Sequence, residues 1–150
     1  MNADDDATFD DAIDKIQQAV EKQDRDHYSK RVLEEANNPQ NVGRMQKADA
    51  AAEITGPCGD TMEFYLKIED GKISDINFWT DGCGATIACG SIATKLVKGK
   101  EVAEAIKVTN QDIIKALDGL PEENLHCAKL AADTLHKAIR NYLDSEAVID

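Results

Sequence analysis

The sequence has no run approaching the roughly 18 consecutive apolar residues of a membrane span. Its opening, MNADDDATFDDA, lacks the basic and apolar stretches that lead a secreted chain. Positive charge is scarce: 17 lysines and arginines stand against 29 aspartates and glutamates, for a formal net charge of -12. That balance counts against nucleic acid and acidic membrane surfaces as partners, and favours metal cations and basic proteins. No pair among the four cysteines, at positions 58, 83, 89 and 127, has the Cys-x-x-Cys spacing of a zinc ribbon or a thioredoxin-type site. There is no internal repeat. These absences together predict a soluble cytoplasmic protein with reduced thiols, in which any cysteine site is assembled by folding.

A chain of 150 residues fits one domain with a single core, burying about 70% of the surface its unfolded form exposes. Residues 1–25 stand apart as an acidic extension, with Phe9, Ile13, Ile16 and Val20 at amphipathic-helix spacing and Thr8 or Asp10 as a cap. The main domain is expected over residues 26–150. HYSKRVLEEANN reads as a helix stopped by Asn38-Pro39, PQNVGRM as a connector and KADAAAEITG as an edge strand. TMEFYLKIEDGKISDINFWTDG alternates apolar and polar residues on either side of Asp70-Gly71, a strong hairpin signal. From residue 84 the period is helical. GATIACGSIATKLVKGK places Ala85, Ala88, Cys89, Ile92 and Leu96 on one face, a short helix runs from Asn110 to Gly119, and the last helix opens at PEEN and turns Ala128, Ala131, Leu135, Ala138 and Tyr142 inward. Early strands and late helices predict an α+β fold: a small antiparallel sheet of about three strands with helices on one face.

Cys58, Cys83 and Cys127 fall at the edges of elements. Cys58 stands at the head of an expected strand in GPCGD, Cys83 just before a helix in DGCGA, and Cys127 about two turns into the last helix. Helix amino termini favour the thiolate, the form that binds metal and attacks sulfur, so the three are candidates for one soft-metal site. Cys89 lies about 240° round the helix from Cys83, among apolar residues, and reads as core. Asp60, two residues beyond Cys58, would share its side of a strand, and His126 offers an imidazole beside Cys127. His27 and His136 read as structural.

From these residues the chain resembles the IscU/NifU-type iron-sulfur cluster assembly scaffolds, through YSKRVLEEANNPQNVGRM, CGDTM, DGKISDINFWTDGCGATIA and LHCAKLAADTLHKAI, over roughly residues 28–143. The resemblance implies an IscU-like fold, with Cys58, Cys83 and Cys127 as cluster and sulfur-accepting cysteines, Asp60 as the motif aspartate and His126 as the histidine before the last cysteine. It implies iron and a 2Fe-2S cluster, with zinc as another occupant of the same donors. A cysteine desulfurase would supply sulfur and apo iron-sulfur proteins would receive the cluster, with no turnover chemistry of the chain's own. A cluster shared in a homodimer is compatible with one weak ligand. The spacings 83 − 58 = 25 and 127 − 83 = 44 suit the Isc/Nif branch; a Suf-type, zinc-dependent sulfur acceptor and a structural zinc domain are the competing readings. Two departures stand out. LPEEN replaces the family's Leu-Pro-Pro-Val-Lys segment, which argues against the dedicated Hsp70-type chaperone as a partner. Cys89 and Gly90 stand where the family usually has serines.

Overall fold

The computed structural model describes residues 27–149, so the helix expected within residues 1–25 lies outside the described residues. Helix α1 (Lys30–Asn37) opens at Ser29, whose hydroxyl accepts the Val32 amide hydrogen at 3.0 Å, and ends at Asn38 before Pro39. Strands β1 (Ala50–Thr55), β2 (Thr61–Glu69) and β3 (Lys72–Thr80) form one antiparallel sheet in the order β1-β2-β3. Then come α2 (Gly84–Val97), the short α3 (Val102–Ala105), α4 (Asn110–Ala116), a 3-10 turn (Glu122–Asn124) and α5 (Leu125–Ile149). Helices α2 and α5 pack on the sheet, as the α+β expectation required.

The hairpin turns at Asp70 and Gly71, both left-handed with φ of 54° and 76°. Below it the register shifts: Lys67 faces Asp75 while Ile68 faces Ile73, so Ser74 is an extra residue in β3. This bulge is why Ile73 and Ile76, three apart, are both buried together with Met62, Phe64, Leu66 and Phe78. Phe64 faces the core and Tyr65 the other side, where its hydroxyl donates to Glu63. Both sheet edges are covered. Asn41 and Gly43 bond to Phe78 along β3, while Lys137 and Asn141 of α5 donate to the carbonyls of Glu53 and Ala51 on β1.

Helix α2 departs from the expected single apolar face. Packed by α1, α5 and the sheet, it buries Ala85, Thr86, Ala88, Cys89, Ser91 and Thr94 almost all the way round, whereas Leu96 is only partly buried. The last helix also starts later than expected: the two glutamates of PEEN lie in the 3-10 turn, so Cys127 is in the first turn of α5. Tyr142, expected inward, is half-buried.

Glu35 ties α1 to α2 from a position only 3% exposed. It accepts hydrogen bonds from Ser91 Oγ at 2.7 Å and Lys95 Nζ at 2.8 Å, with Arg31 at 3.5 Å. Burial pushes its carboxyl up, but Lys95, Ser91 and Arg31 outweigh burial and hold it below the ordinary value. A depressed carboxyl stabilises the fold fully above its unfolded pKa of about 4.5 and loses that contribution as pH falls through the lower folded value. Glu35→Gln should therefore flatten the acid limb of the stability profile and cost about 1–2 kcal/mol near neutrality, read from urea unfolding across pH.

Candidate metal centre

The site is built from three loops or helix starts that meet at one end of the sheet. Cys58 and Asp60 do not occupy a strand, contrary to expectation: β1 ends at Thr55 and β2 begins at Thr61. They lie in the connecting turn, closed by Gly56 N–H to Asp60 C=O at 2.8 Å and Gly59 N–H to Gly56 C=O at 3.0 Å, with Gly59 left-handed at φ 92°. The turn needs that backbone freedom to leave Cys58 exposed at its tip and return Asp60 toward α2. Alternation along a strand thus does not apply to these two residues.

The loop from β3 into α2 is anchored to β2. Thr80 Oγ1 donates to Thr61 C=O at 2.6 Å, the Thr61 amide donates to Asp81 Oδ1 at 2.8 Å, and the Gly82 amide donates to Thr80 Oγ1 at 3.1 Å. Cys83 is the N-cap of α2, as its position before a helix predicted. Gly82 is required by close approach alone: a Cβ there would lie 2.8 Å from the Thr86 Cβ and 2.9 Å from Asp60 Oδ2.

Thr86, which the sequence reading passed over, joins the candidates. Its hydroxyl lies 3.2 Å from Asp60 Oδ2, 3.3 Å from Cys127 Sγ and 3.7 Å from Cys83 Sγ. His126 Nε2 is 3.7 Å from Cys127 Sγ on the exposed side. The other two histidines have partners away from the site. His27 contacts Glu123, and His136 Nε2 is 2.5 Å from the Val108 carbonyl oxygen. A surface cavity of about 830 Å³ beside α1, lined by Tyr28, Arg31, Asn38 and Lys95, holds none of the candidate ligands.

The thiols of Cys83, Cys127 and Cys89 differ in electrostatics. Burial raises the Cys83 thiol, but the backbone amide and hydroxyl of Thr86 and the amide of Ala85 outweigh it, against opposition from Asp60, and leave it below the ordinary thiol value. Burial pushes Cys127 up; hydrogen bonding with Thr86 and Asn124 pulls it back, while charge on Cys83 and Cys58 adds to the rise. Cys89 is fully buried and its thiol is driven far up by burial and by charge on Cys127 and Cys83, in keeping with the core reading. Brief alkylation near neutral pH should modify the exposed Cys83 and Cys58 and spare Cys127. Cys89 should be protected about 100-fold or more until denaturant is added, as read by peptide mass mapping.

Soft thiolates with one carboxylate at hand form a donor set suited to iron, iron-sulfur clusters or zinc. Two of the thiols are exposed, so a bound group would face solvent and incoming proteins. Among the described residues no helix is long and apolar enough to cross a membrane.

A family model for the NifU-like N-terminal domain matches residues 27–148. The iron-sulfur cluster assembly scaffold protein IscU 1 of Archaeoglobus fulgidus is 44% identical over 124 residues, which cover 82% of this chain and 81% of the relative. The iron-sulfur cluster assembly scaffold protein IscU of Aquifex aeolicus is 40% identical over 126 residues, covering 82% and 80%. In fold the chain is similar to the crystal structure of an N-terminal, nitrogen-fixing NifU-like protein from Brucella abortus. The TM-score is 0.65 at 23% identity, over 77% of this chain and 94% of that one.

Proposed function

The chain belongs to the NifU-like N-terminal domain family, and from that premise we propose that it is a scaffold on which an iron-sulfur cluster is assembled and then handed to apo-proteins. Iron and the cluster are its cargo. The observation that carries this reading is the grouping of Asp60, Cys83 and Cys127 round one hydroxyl, beside the turn whose exposed tip carries Cys58.

In this proposal Cys58, Cys83 and Cys127 supply thiolates and Asp60 completes the set, with His126 beside Cys127 as the other fourth donor. Thiolates hold iron-sulfur cargo firmly, whereas a hard carboxylate makes one weaker bond, which suits a protein that must release what it builds. Sulfur arrives when a thiolate of this site attacks the outer sulfur of a cysteine desulfurase persulfide. The new S–S bond forms here, the desulfurase S–S bond breaks, and its thiolate leaves. The low-lying thiol of Cys83 favours such an attack. The cargo is a 2Fe-2S cluster, zinc fits the same donors, and the setting is cytoplasmic. The scaffold unit is taken as residues 26–150, and residues 1–25 precede it as an acidic segment.

The test is anaerobic incubation of the full chain with ferrous iron, cysteine, a desulfurase and a thiol reductant, which supplies the two electrons that turn each persulfide sulfur into sulfide. Visible sulfide-to-iron absorption with matching iron and acid-labile sulfide is the expected result; colourless protein with tight zinc and no sulfide would replace the scaffold with a sulfur acceptor. Asp60→Ala should slow cluster transfer to an apo-ferredoxin about tenfold while assembly persists, and an unchanged rate would remove Asp60 from its role.

A further inference from the structure

The Thr86 side chain is fully buried, yet its hydroxyl is the one atom that Asp60, Cys83 and Cys127 share. A threonine hydroxyl has a single proton to donate, and here a carboxylate oxygen at 3.2 Å and a sulfur at 3.3 Å both stand as its acceptors. The side chain has little freedom to turn away. It is fully buried in the first turn of α2, and a β-branched residue in a helix has only two rotamers open to it. Among the described residues no three histidine, cysteine or acidic side chains stand close enough together to enclose a metal ion. Asp60, Cys83 and Cys127 are arranged about the Thr86 hydroxyl.

We propose that Thr86 is a positioning residue that competes with bound metal for Asp60 and Cys127, and so sets how readily the cargo leaves. The inference rests on the proposed assignment of those two residues as ligands. Binding metal through Asp60 and Cys127 requires that the hydroxyl either give up these hydrogen bonds or keep them to atoms already bound to metal. In the first case a buried hydroxyl loses its partners; in the second it draws electron density from the carboxylate or thiolate and weakens its bond to the metal. Both routes disfavour the loaded state relative to a chain without the hydroxyl. Thr86 thereby competes with the cargo for two of its ligands.

The experiment is titration of the full metal-free chain with Zn²⁺ against a chromophoric chelator, with the rate of Zn²⁺ removal by excess chelator as a second reading. Thr86→Val, which keeps the shape and drops the hydroxyl, should bind Zn²⁺ about tenfold more tightly and release it correspondingly more slowly. Thr86→Ser, which keeps the hydroxyl, should stay within about threefold of wild type. Unchanged or weaker Zn²⁺ binding by Thr86→Val overturns the proposal and leaves Thr86 a structural contact. Should circular dichroism show Thr86→Val unfolded, Thr86→Ala carries the same expectation and the same power to overturn it. Failure of the underlying ligand assignment looks different: Zn²⁺ affinity would then be indifferent to Cys83→Ser and Cys127→Ser.

Discussion

Cys127→Ser should give a folded protein that assembles almost no cluster, with visible absorption and acid-labile sulfide below about a tenth of wild type. Cys127 is 1% exposed and close to Thr86 and His126, so a serine oxygen in its place retains polar neighbours. The stability change should be under about 1 kcal/mol by urea unfolding. As a ligand the serine fails, because its hydroxyl is a hard donor that does not ionise near neutral pH, where iron-sulfur chemistry needs a soft thiolate. Cys89→Ser is the matching control. Cys89 is just as buried, but burial drives its thiol far up, which disfavours it as ligand or nucleophile, and its replacement should leave cluster yield unchanged. Loss of the cluster in Cys89→Ser would bring the fourth cysteine into the site.

Phe78→Ala should cost about 3–5 kcal/mol in urea unfolding, toward the upper end of that range. Phe78 is 1% exposed, packs beside Phe64 with ring centroids 6.3 Å apart, and lies under α2 at Gly90. Because Gly90 has no side chain to fall into the space, the cavity cannot collapse from that side. The contact is tight: a Cβ on Gly90 would lie 2.4 Å from the Phe78 ring. Gly90→Ala alone should therefore destabilise by about 1–3 kcal/mol despite the gain in helix propensity. Added to Phe78→Ala, the same methyl fills part of the void and should restore about 1 kcal/mol, a coupling that a double-mutant cycle measures directly. Purely additive costs would mean that the two residues do not share this space. The pairing also gives a physical reason for glycine at a position where the resemblance led to serine.

Much of the fold was legible because its signals are local. Asp70-Gly71 specifies its own turn through left-handed backbone, alternation marks the strands beside it, and Asn38-Pro39 ends a helix whatever surrounds it. The separation of Cys89 from the other cysteines was also legible, since helical geometry alone turns it toward apolar neighbours. Other features depended on distant chain. The bulge at Ser74 makes sense only against the register of β2, and burial of α2 on nearly every side requires α1, α5 and the sheet at once. Asp60 approaches Thr86 through a glycine turn rather than along a strand, so strand alternation does not describe its geometry. Thr86 itself carried no signal in the sequence, because a threonine in the first turn of a helix is ordinary until a carboxylate 26 residues earlier and a sulfur 41 residues later close on its hydroxyl. The sequence by itself determined which donors the chain owns and which elements carry them, since residue type and periodicity are properties of neighbouring positions. Only the tertiary structure decided which donors share one proton, because hydrogen bonds of 3.2 and 3.3 Å are set by the packing of elements remote in the chain.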